Sequence, residues 1–375
     1  PEELKVIDPA CGSGHMLTYA FDLLYAIYEE EGYAPAEIPG LILTHNLYGT
    51  EIDPRAGALA AFALAMKARG KQRTFFNKQV GPNVCVLAPI SFGREELDFL
   101  LSSDGDRNDE EAFWNQFAEA DTIGALVSAD IYLTERLARH LEANYSGGDL
   151  LRADTLERAD RVVTQARFLT SRYSVAVANP PYMGGKNMGS VLAGFAKDRF
   201  LDSKADLFAM FIDRCGSLVE SRGLVGMITM QSWMFLSSFD ALRAKLLRGS
   251  TLEVLAHLGS GAFDSIGGDV VSTTAFVFSS GSSSERAGVY FNLTASRSEA
   301  AKATEMLRLV NDPSDRFVLR THQLLQVAGA PIAYWLSDAE LRALVNSRKV
   351  ADEATPRKGL VTLDDARFTR RWYEV

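Results

Sequence analysis

The residues best suited to hold a ligand lie near the start of the chain, in segment 8–14 with the sequence Asp-Pro-Ala-Cys-Gly-Ser-Gly. This segment follows a short apolar run and precedes a helical pattern. Its small residues let a ligand approach the backbone and the free amides of a helix N-terminus. The third glycine of dinucleotide-binding turns is missing, and the Asp8 carboxylate would repel a pyrophosphate. A carboxylate there suits a cation such as an ammonium group, although a plain tight turn is the alternative.

Glu51 stands at the end of the second apolar run, residues 47–52. A carboxylate at the end of this strand can accept hydrogen bonds from both hydroxyls of a ribose. The alternative is an exposed acid with no ligand. An ammonium group at Asp8 and a ribose at Glu51 together describe S-adenosylmethionine better than NAD, so we predict S-adenosylmethionine as the cofactor.

A rigid turn made of Asn179, Pro180, Pro181 and Tyr182 follows another apolar run, residues 174–178. Successive prolines fix φ and remove two backbone donors, which leaves carbonyls that only accept. The Asn179 side-chain oxygen and the Pro180 carbonyl can therefore bind both hydrogens of one primary amine and turn its lone pair towards an incoming methyl group. Tyr182 offers a flat face for a base to stack upon. A strand-exit turn with a surface tyrosine is the alternative.

The elements that must position these residues alternate between strand and helix. Short apolar runs at residues 4–7, 47–52 and 84–87 are separated by amphipathic helical patterns, which predicts a parallel sheet with helices on both faces. Residues 270–278 and 287–293, divided by a Gly/Ser turn, are typical of an antiparallel hairpin. We therefore predict an α/β fold with a doubly wound, mostly parallel sheet, an antiparallel closing hairpin and a helical insertion.

Four segments are predicted along the chain. Residues 1–92 form the cofactor-binding half, 93–170 a mainly helical insertion, 171–295 the catalytic half, and 296–375 a helix and loop extension. The chain starts at Pro1 without Met and ends at Val375 in a charged, aromatic stretch, so we expect a piece of a longer protein. The region that reads the target is expected beyond that end.

Composition excludes several classes of protein. Of the 375 residues, 47% are hydrophobic and 23% charged, which excludes disorder, and the net charge of −9 excludes a small non-specific nucleic-acid coat. The cysteines, Cys11, Cys85 and Cys215, have no CxxC spacing, which excludes a zinc knuckle or disulfide scaffold and fits a reducing cytoplasm. No membrane or targeting segment is visible.

Segment 184–204 has a net charge of +2 beside the proline turn and could touch phosphates.

Taken together, segment 8–14, Glu51 and residues 179–182 resemble the cofactor, ribose and catalytic motifs of amino-group DNA methyltransferases. Their order resembles the gamma class of adenine-specific enzymes. Residues 179–247 and 331–338 look most like PglX, the large methyltransferase family of BREX phage-defence systems, with type IIG restriction-modification enzymes as near relatives.

The resemblance implies a class I, Rossmann-like fold and methyl transfer from S-adenosylmethionine to a flipped adenine in duplex DNA, without a metal. Its partners would be double-stranded DNA and other defence-system proteins. No acidic residue for the cofactor's adenine can be placed after the third strand. The implied cofactor residues are Asp8, Ala10, Cys11, Gly12, Gly14 and Glu51. The implied base-binding and catalytic residues are Asn179, Pro180, Pro181 and Tyr182, with Phe263 as a base-stacking candidate.

Other functions remain open on the sequence alone. Protein-glutamine methyltransferases use the same Asn-Pro-Pro-Tyr turn, because an amide nitrogen poses the same chemical problem. A non-catalytic, cofactor-binding subunit of a defence complex would also keep these motifs. A nicotinamide dehydrogenase is disfavoured by the missing third glycine and by the proline pair.

Overall fold

One mixed sheet organises the first of the two units into which the chain divides, Pro1–Trp335; the second is Leu336–Val375. A computed structural model describes residues 1–144, 152–263, 271–281, 283, 285–347 and 353–355. Over these residues the strand order is β3-β2-β1-β4-β5-β7-β6-β8-β9. The strands are β1 (Val6–Asp8), β2 (Leu47–Glu51), β3 (Asn83–Val86), β4 (Tyr173–Ala178), β5 (Val219–Met230), β6 (Ser250–Gly259), β7 (Thr273–Ser280), β8 (Ala287–Asn292) and β9 (Phe317–Arg320).

Helices connect these strands and cover the sheet. In the first unit they are α1 (His15–Glu30), α2 (Ile38–Leu41), α3 (Pro54–Lys71), α4 (Arg94–Leu100), α5 (Arg107–Asn115), α6 (Ala120–Ile123), α7 (Ile131–Asn144), α8 (Ala153–Thr170), α9 (Ser190–Arg199), α10 (Leu207–Leu218), α11 (Asp240–Gly249), α12 (Glu299–Asn311) and α13 (Thr321–Leu324). The second unit contains α14 (Asp338–Asn346). Among the described residues, no helix has both the length and the apolar character needed to cross a membrane.

The first five strands of the sheet confirm the predicted fold class. β2 pairs in parallel with β3 and β1, β1 pairs in parallel with β4, and β4 pairs in parallel with β5. This order brings the carboxyl ends of β1, β2 and β4 to one edge, with β1 in the middle. Parallel strands place their following loops at that edge, so the three predicted motifs are forced to be neighbours.

The predicted closing hairpin is wrong. β7 lies between β5 and β6 and pairs antiparallel with both, while β8 pairs in parallel with β6 and antiparallel with β9. Because β7 uses both of its edges on β5 and β6, none is left for β8, which pairs with the other edge of β6 instead. Residue 270, the predicted start of the first hairpin strand, lies outside the described residues.

The helices of the N-terminal half form where the sequence signals them. Leu17, Phe21 and Leu24 are buried along one face of α1, at the predicted three- and four-residue spacing. Asp53 caps α3 by accepting a hydrogen bond from the Arg55 amide at 2.8 Å, with Pro54 in the first turn. These two helices fix the loops that follow β1 and β2.

The helices between β3 and β4 share one core with the sheet. Trp114 of α5 and Val162 of α8 are buried in the same hydrophobic cluster as Ile7 of β1 and Tyr173 of β4. This packing brings the segment between α6 and α7 towards the carboxyl edge of the strands, where part of it lines the candidate site.

Candidate active site

The glycine turn after β1 is held against β2 by one backbone hydrogen bond and one from a side chain. The Cys11 amide donates to the Thr50 carbonyl at 3.0 Å, and the Thr50 hydroxyl donates to the Pro9 carbonyl at 2.9 Å. Gly14 ends the turn at φ 85° as the N-cap of α1, and a Cβ there would lie 3.0 Å from the Ala60 Cα. A left-handed φ and this close approach to α3 together require glycine at position 14.

Glu51 joins this turn to the end of β2. Its Oε2 accepts a hydrogen bond from the Gly12 amide at 2.7 Å, and its Oε1 accepts from the amides of Ile52 at 2.9 Å and Asp53 at 3.0 Å. Three backbone donors therefore fix the carboxylate before any ligand binds. A carboxylate has about four lone-pair sites, so it can still accept from a ligand hydroxyl.

The proline turn after β4 is anchored by Asp206, the N-cap of α10. Its Oδ1 accepts from the amides of Met183 at 3.0 Å and Phe208 at 3.3 Å, and the Leu207 amide donates to the Met183 carbonyl at 3.0 Å. Burial raises the pKa of Asp206, while these amides act in the opposite direction. The turn is thus tied to the sheet on one side and to a helix on the other.

Asn179 and Tyr182 differ in their surroundings. Asn179 is exposed, and its Oδ1 faces the Tyr182 hydroxyl at 3.4 Å, while the half-buried Tyr182 ring meets Phe208 edge-on with centroids 6.0 Å apart. Burial, reinforced by the charge of Asp206, raises the pKa of Tyr182 to about 12. Tyr182 is therefore a neutral aromatic surface at physiological pH, and the Asn179 amide is accessible.

A single cavity of about 330 Å³ brings the motifs together. It is bounded by the glycine turn, the end of β2, the proline turn, α10 and the segment after α6. Its lining residues are Pro9, Ala10, Glu51, Ile52, Thr122, Ile123, Gly124, Ala125, Asn179, Pro181, Leu207 and Phe211. Of the predicted site residues, Ala10, Glu51, Asn179 and Pro181 line this cavity.

Other predicted residues lie beside the cavity rather than on its surface. Asp8 is 2% exposed, and its Oδ1 accepts from the Ala10 amide at 3.1 Å. Cys11 packs its side chain into the core next to Leu17, so only its backbone can face a ligand. Phe263 follows β6, is half-buried and does not line the cavity.

One wall of the cavity was not predicted from the sequence. This wall consists of Thr122, Ile123, Gly124 and Ala125, which lie among the helices between β3 and β4, more than thirty residues after β3. Gly124 has φ 57°, and a Cβ there would lie 2.9 Å from the Ile52 side chain. The sequence signal for this wall was the short apolar run that follows α6. No residue near it in the sequence indicates that it packs against the end of β2.

Comparison with known proteins identifies the family. Residues 45–263 match the Eco57I restriction-modification methylase family. The chain belongs to this family. The matched range contains Glu51 and the whole proline turn, and the resemblance inferred from the motifs is confirmed at this level.

Two curated relatives align with all of this methylase chain. It is 36% identical over 390 residues to the adenine-specific methyltransferase PglX of Lacticaseibacillus casei (strain Zhang), of which it covers 32%. It is 37% identical over 402 residues to the adenine-specific methyltransferase BrxX of Escherichia coli O9:H4 (strain HS), of which it covers 33%. The chain therefore spans about a third of the length of these relatives.

Solved structures of restriction-modification enzymes share the fold of this methylase chain. The ATP-dependent Type ISP enzyme LlaBIII bound to DNA superposes with a TM-score of 0.51 at 13% identity, over 85% of this chain and 20% of that one. A nuclease-deletion mutant of the Type ISP enzyme LlaGI, in complex with a DNA substrate mimic, gives 0.50 at 13% identity, over 84% and 24%.

Proposed function

We propose that this chain carries the catalytic site of an adenine-specific DNA methyltransferase of a phage-defence or restriction-modification system. In this proposal a methyl group passes from S-adenosylmethionine to the exocyclic amine of an adenine flipped out of duplex DNA. The observation that carries the proposal is the common cavity of Ala10, Glu51 and Asn179. A cofactor-binding turn and an amine-binding turn that open into the same space are what a one-step group transfer requires.

The residues of this cavity fit S-adenosylmethionine. Glu51, three of whose roughly four acceptor sites are taken by backbone amides, would accept a hydrogen bond from one ribose hydroxyl. The apolar side chains of Ile52 and Ile123 would cover the purine. The backbone at Ala10 would face the amino-acid end. A volume of about 330 Å³ lies within the range of roughly 300–1,000 Å³ for small-molecule sites. When bound, the cofactor supplies a methyl group made electrophilic by its positively charged sulfur.

The proline turn would make the target amine reactive. The exocyclic nitrogen of adenine is a poor nucleophile because its lone pair is delocalised into the ring. The Asn179 oxygen and the Pro180 carbonyl accept the two amine hydrogens and stabilise the positive charge that develops on nitrogen. Pro180 is buried, so its carbonyl is held rigidly, whereas the exposed Asn179 meets the incoming base.

The rest of the site would receive the flipped base. Extraction of a base costs a few kcal/mol of stacking energy, which aromatic contacts in the pocket offset. Tyr182 supplies one such face, and Phe263 remains our candidate for the other. Lys186, Lys197 and Lys204 are exposed around the loop after the turn, where they would contact phosphates next to the flipped base.

A labelling experiment tests the proposed reaction. The complete gene product is incubated with methyl-labelled S-adenosylmethionine and either unmodified duplex DNA or an extract of cellular protein. We expect label in N6-methyladenine after digestion of the DNA. Label in protein glutamine instead would establish the rival methyltransferase function. Bound cofactor without any transfer, in the presence of DNA and of its natural partners, would favour a non-catalytic subunit.

Cofactor binding is expected to depend on the ionisation of Asp8. Burial raises the pKa of Asp8 to about 7, the Ala10 amide lowers it, and the charge of Glu51 raises it. A cationic ligand favours the charged carboxylate, so affinity is highest above pH 7 and is lost as the pH falls. If only the charged form binds, linkage predicts a Kd about tenfold higher at pH 6 than at pH 8.

Isothermal titration calorimetry at several pH values measures this dependence. Asp8→Asn removes the titrating group and should give a weak but nearly constant Kd over the same range. A wild-type Kd that does not change between pH 6 and pH 8 would contradict the role of Asp8, whatever the outcome of the labelling experiment.

A further inference from the structure

The cavity wall that the sequence did not predict continues from its lining residues Gly124 and Ala125 into Leu126 and Val127, which do not line the cavity. Gly124 packs directly on Ile52 at one side of the cavity. On the far side, Leu126, Val127 and Ser128 border a second cavity of about 480 Å³. Ala125, Leu126 and Val127 also belong to the buried hydrophobic core, so packing holds this segment, and its position depends in addition on specific polar contacts.

One buried guanidinium supplies those contacts. Arg214 of α10 is 5% exposed, and its Nε donates to the Ala125 carbonyl at 2.7 Å. Its Nη2 donates to the carbonyls of Val127 at 2.8 Å and Leu169 at 3.0 Å, and its Nη1 donates to the Ser217 hydroxyl at 2.9 Å. The planar fork of arginine thus fixes two carbonyls of the wall against the end of α8.

The charge of Arg214 strengthens these bonds. Burial lowers the pKa of Arg214 to about 10, which still leaves the side chain cationic at neutral pH. Hydrogen bonds from a charged donor to a carbonyl are about twice as strong as neutral ones. The same helix also lines the cavity through Leu207 and Phe211. Arg214 therefore couples two walls of one cavity.

We infer that Arg214 is a positioning residue for the cofactor: it holds the Gly124–Val127 wall at the distance from Glu51 that the bound purine requires. This inference rests on the proposed function and adds a residue that does not touch the ligand. Loosening of the wall leaves the proline turn intact, because that turn is anchored at the N-terminal end of α10 through Asp206, away from Arg214 in the last turns of the helix. A substitution at Arg214 should therefore lower the affinity for the cofactor and leave the rate of methyl transfer unchanged.

Arg214→Lys in the complete gene product tests the inference. Lysine keeps the charge and the stem but lacks the fork that spans Ala125 and Val127. We expect the Kd and KM for S-adenosylmethionine to rise about tenfold, which corresponds to one charge-assisted hydrogen bond. The rate of transfer to duplex DNA at saturating cofactor should stay at the wild-type value.

Arg243→Lys is the matched control. Arg243 is 1% exposed, pairs with Asp240 and donates to the carbonyls of Trp233 at 2.6 Å, Leu236 at 2.8 Å and Gly329 at 2.8 Å; none of these partners lines the cofactor cavity. We expect it to lower the melting temperature and leave the cofactor Kd unchanged. Loss of stability is thereby separated from loss of positioning.

The outcomes distinguish this inference from the proposed function. If the folded Arg214→Lys variant binds cofactor as tightly as wild type, the positioning role is wrong while the proposed function stands. If the wild-type protein binds no S-adenosylmethionine, the proposed function fails first. Should Arg214→Lys not fold, Ser217→Ala removes one partner of the guanidinium, and a Kd raised about threefold is then the supporting result. An unchanged Kd in that variant would overturn the inference.

Discussion

Asn179→Ala is expected to abolish methyl transfer while cofactor affinity stays close to that of wild type. The side chain is exposed at the cavity and its Oδ1 accepts a long hydrogen bond of 3.4 Å from the Tyr182 hydroxyl, so its truncation should leave the fold intact. What is lost is one of two acceptors for the target amine. Removal of one preorganised hydrogen-bonding group from a transition state costs about 10²–10³ in kcat. The loss in kcat should lie at the upper end of this range, because the lone pair of the target amine is then again delocalised into the adenine ring.

The measurement is single-turnover transfer of labelled methyl groups to unmodified duplex DNA, together with calorimetry of cofactor binding. Asn179→Asp is the informative control, since it keeps an acceptor oxygen at the same position. It should retain part of the activity that Asn179→Ala loses. Transfer at the normal rate by Asn179→Ala would show that the assigned role of this residue is wrong.

Local signals were enough to predict the parts of the site that follow directly from strands. The glycine turn, Glu51 and the proline turn each come at the carboxyl end of a parallel strand, and parallel pairing collects such ends at one edge. The Asp53 cap and the burial of Leu17 and Phe21 likewise depend on residues a few positions apart. In these cases spacing along the chain determines the geometry.

The parts that were wrong or missed depend on distant contacts. β8 pairs with β6 rather than with β7 because β7 is already paired on both of its edges. The turn between β7 and β8 carries no sequence signal for this pairing. The wall at Gly124 reaches the cavity only because α5 and α8 pack on the sheet. Its anchor, Arg214, lies about ninety residues further along the chain. Cys11 has the right position in the motif, but its side chain packs in the core and does not line the cavity.

Glu51→Ala should have the largest effect on cofactor binding, because its carboxylate has two functions. It is the only predicted ribose acceptor, and it also accepts hydrogen bonds from the amides of Gly12, Ile52 and Asp53. Alanine would remove the ribose contact and leave three backbone donors beside the cavity without their partner. Loss of charge-assisted bonds worth about 1.5–3 kcal/mol each predicts a Kd at least about 100-fold higher.

Two further variants make the role of Glu51 specific. Glu51→Gln keeps one acceptor oxygen, but its NH2 group opposes either the Gly12 amide or the amides of Ile52 and Asp53, so its Kd should lie between those of wild type and Glu51→Ala. Asp53→Ala removes a neighbouring carboxylate that caps α3 and pairs with Arg55 but lies outside the cavity lining, so it should lower the melting temperature and leave the Kd unchanged. Calorimetry with S-adenosylmethionine measures all three. If Glu51→Ala binds the cofactor with wild-type affinity, the ribose lies elsewhere. The common cavity would then not be the cofactor site.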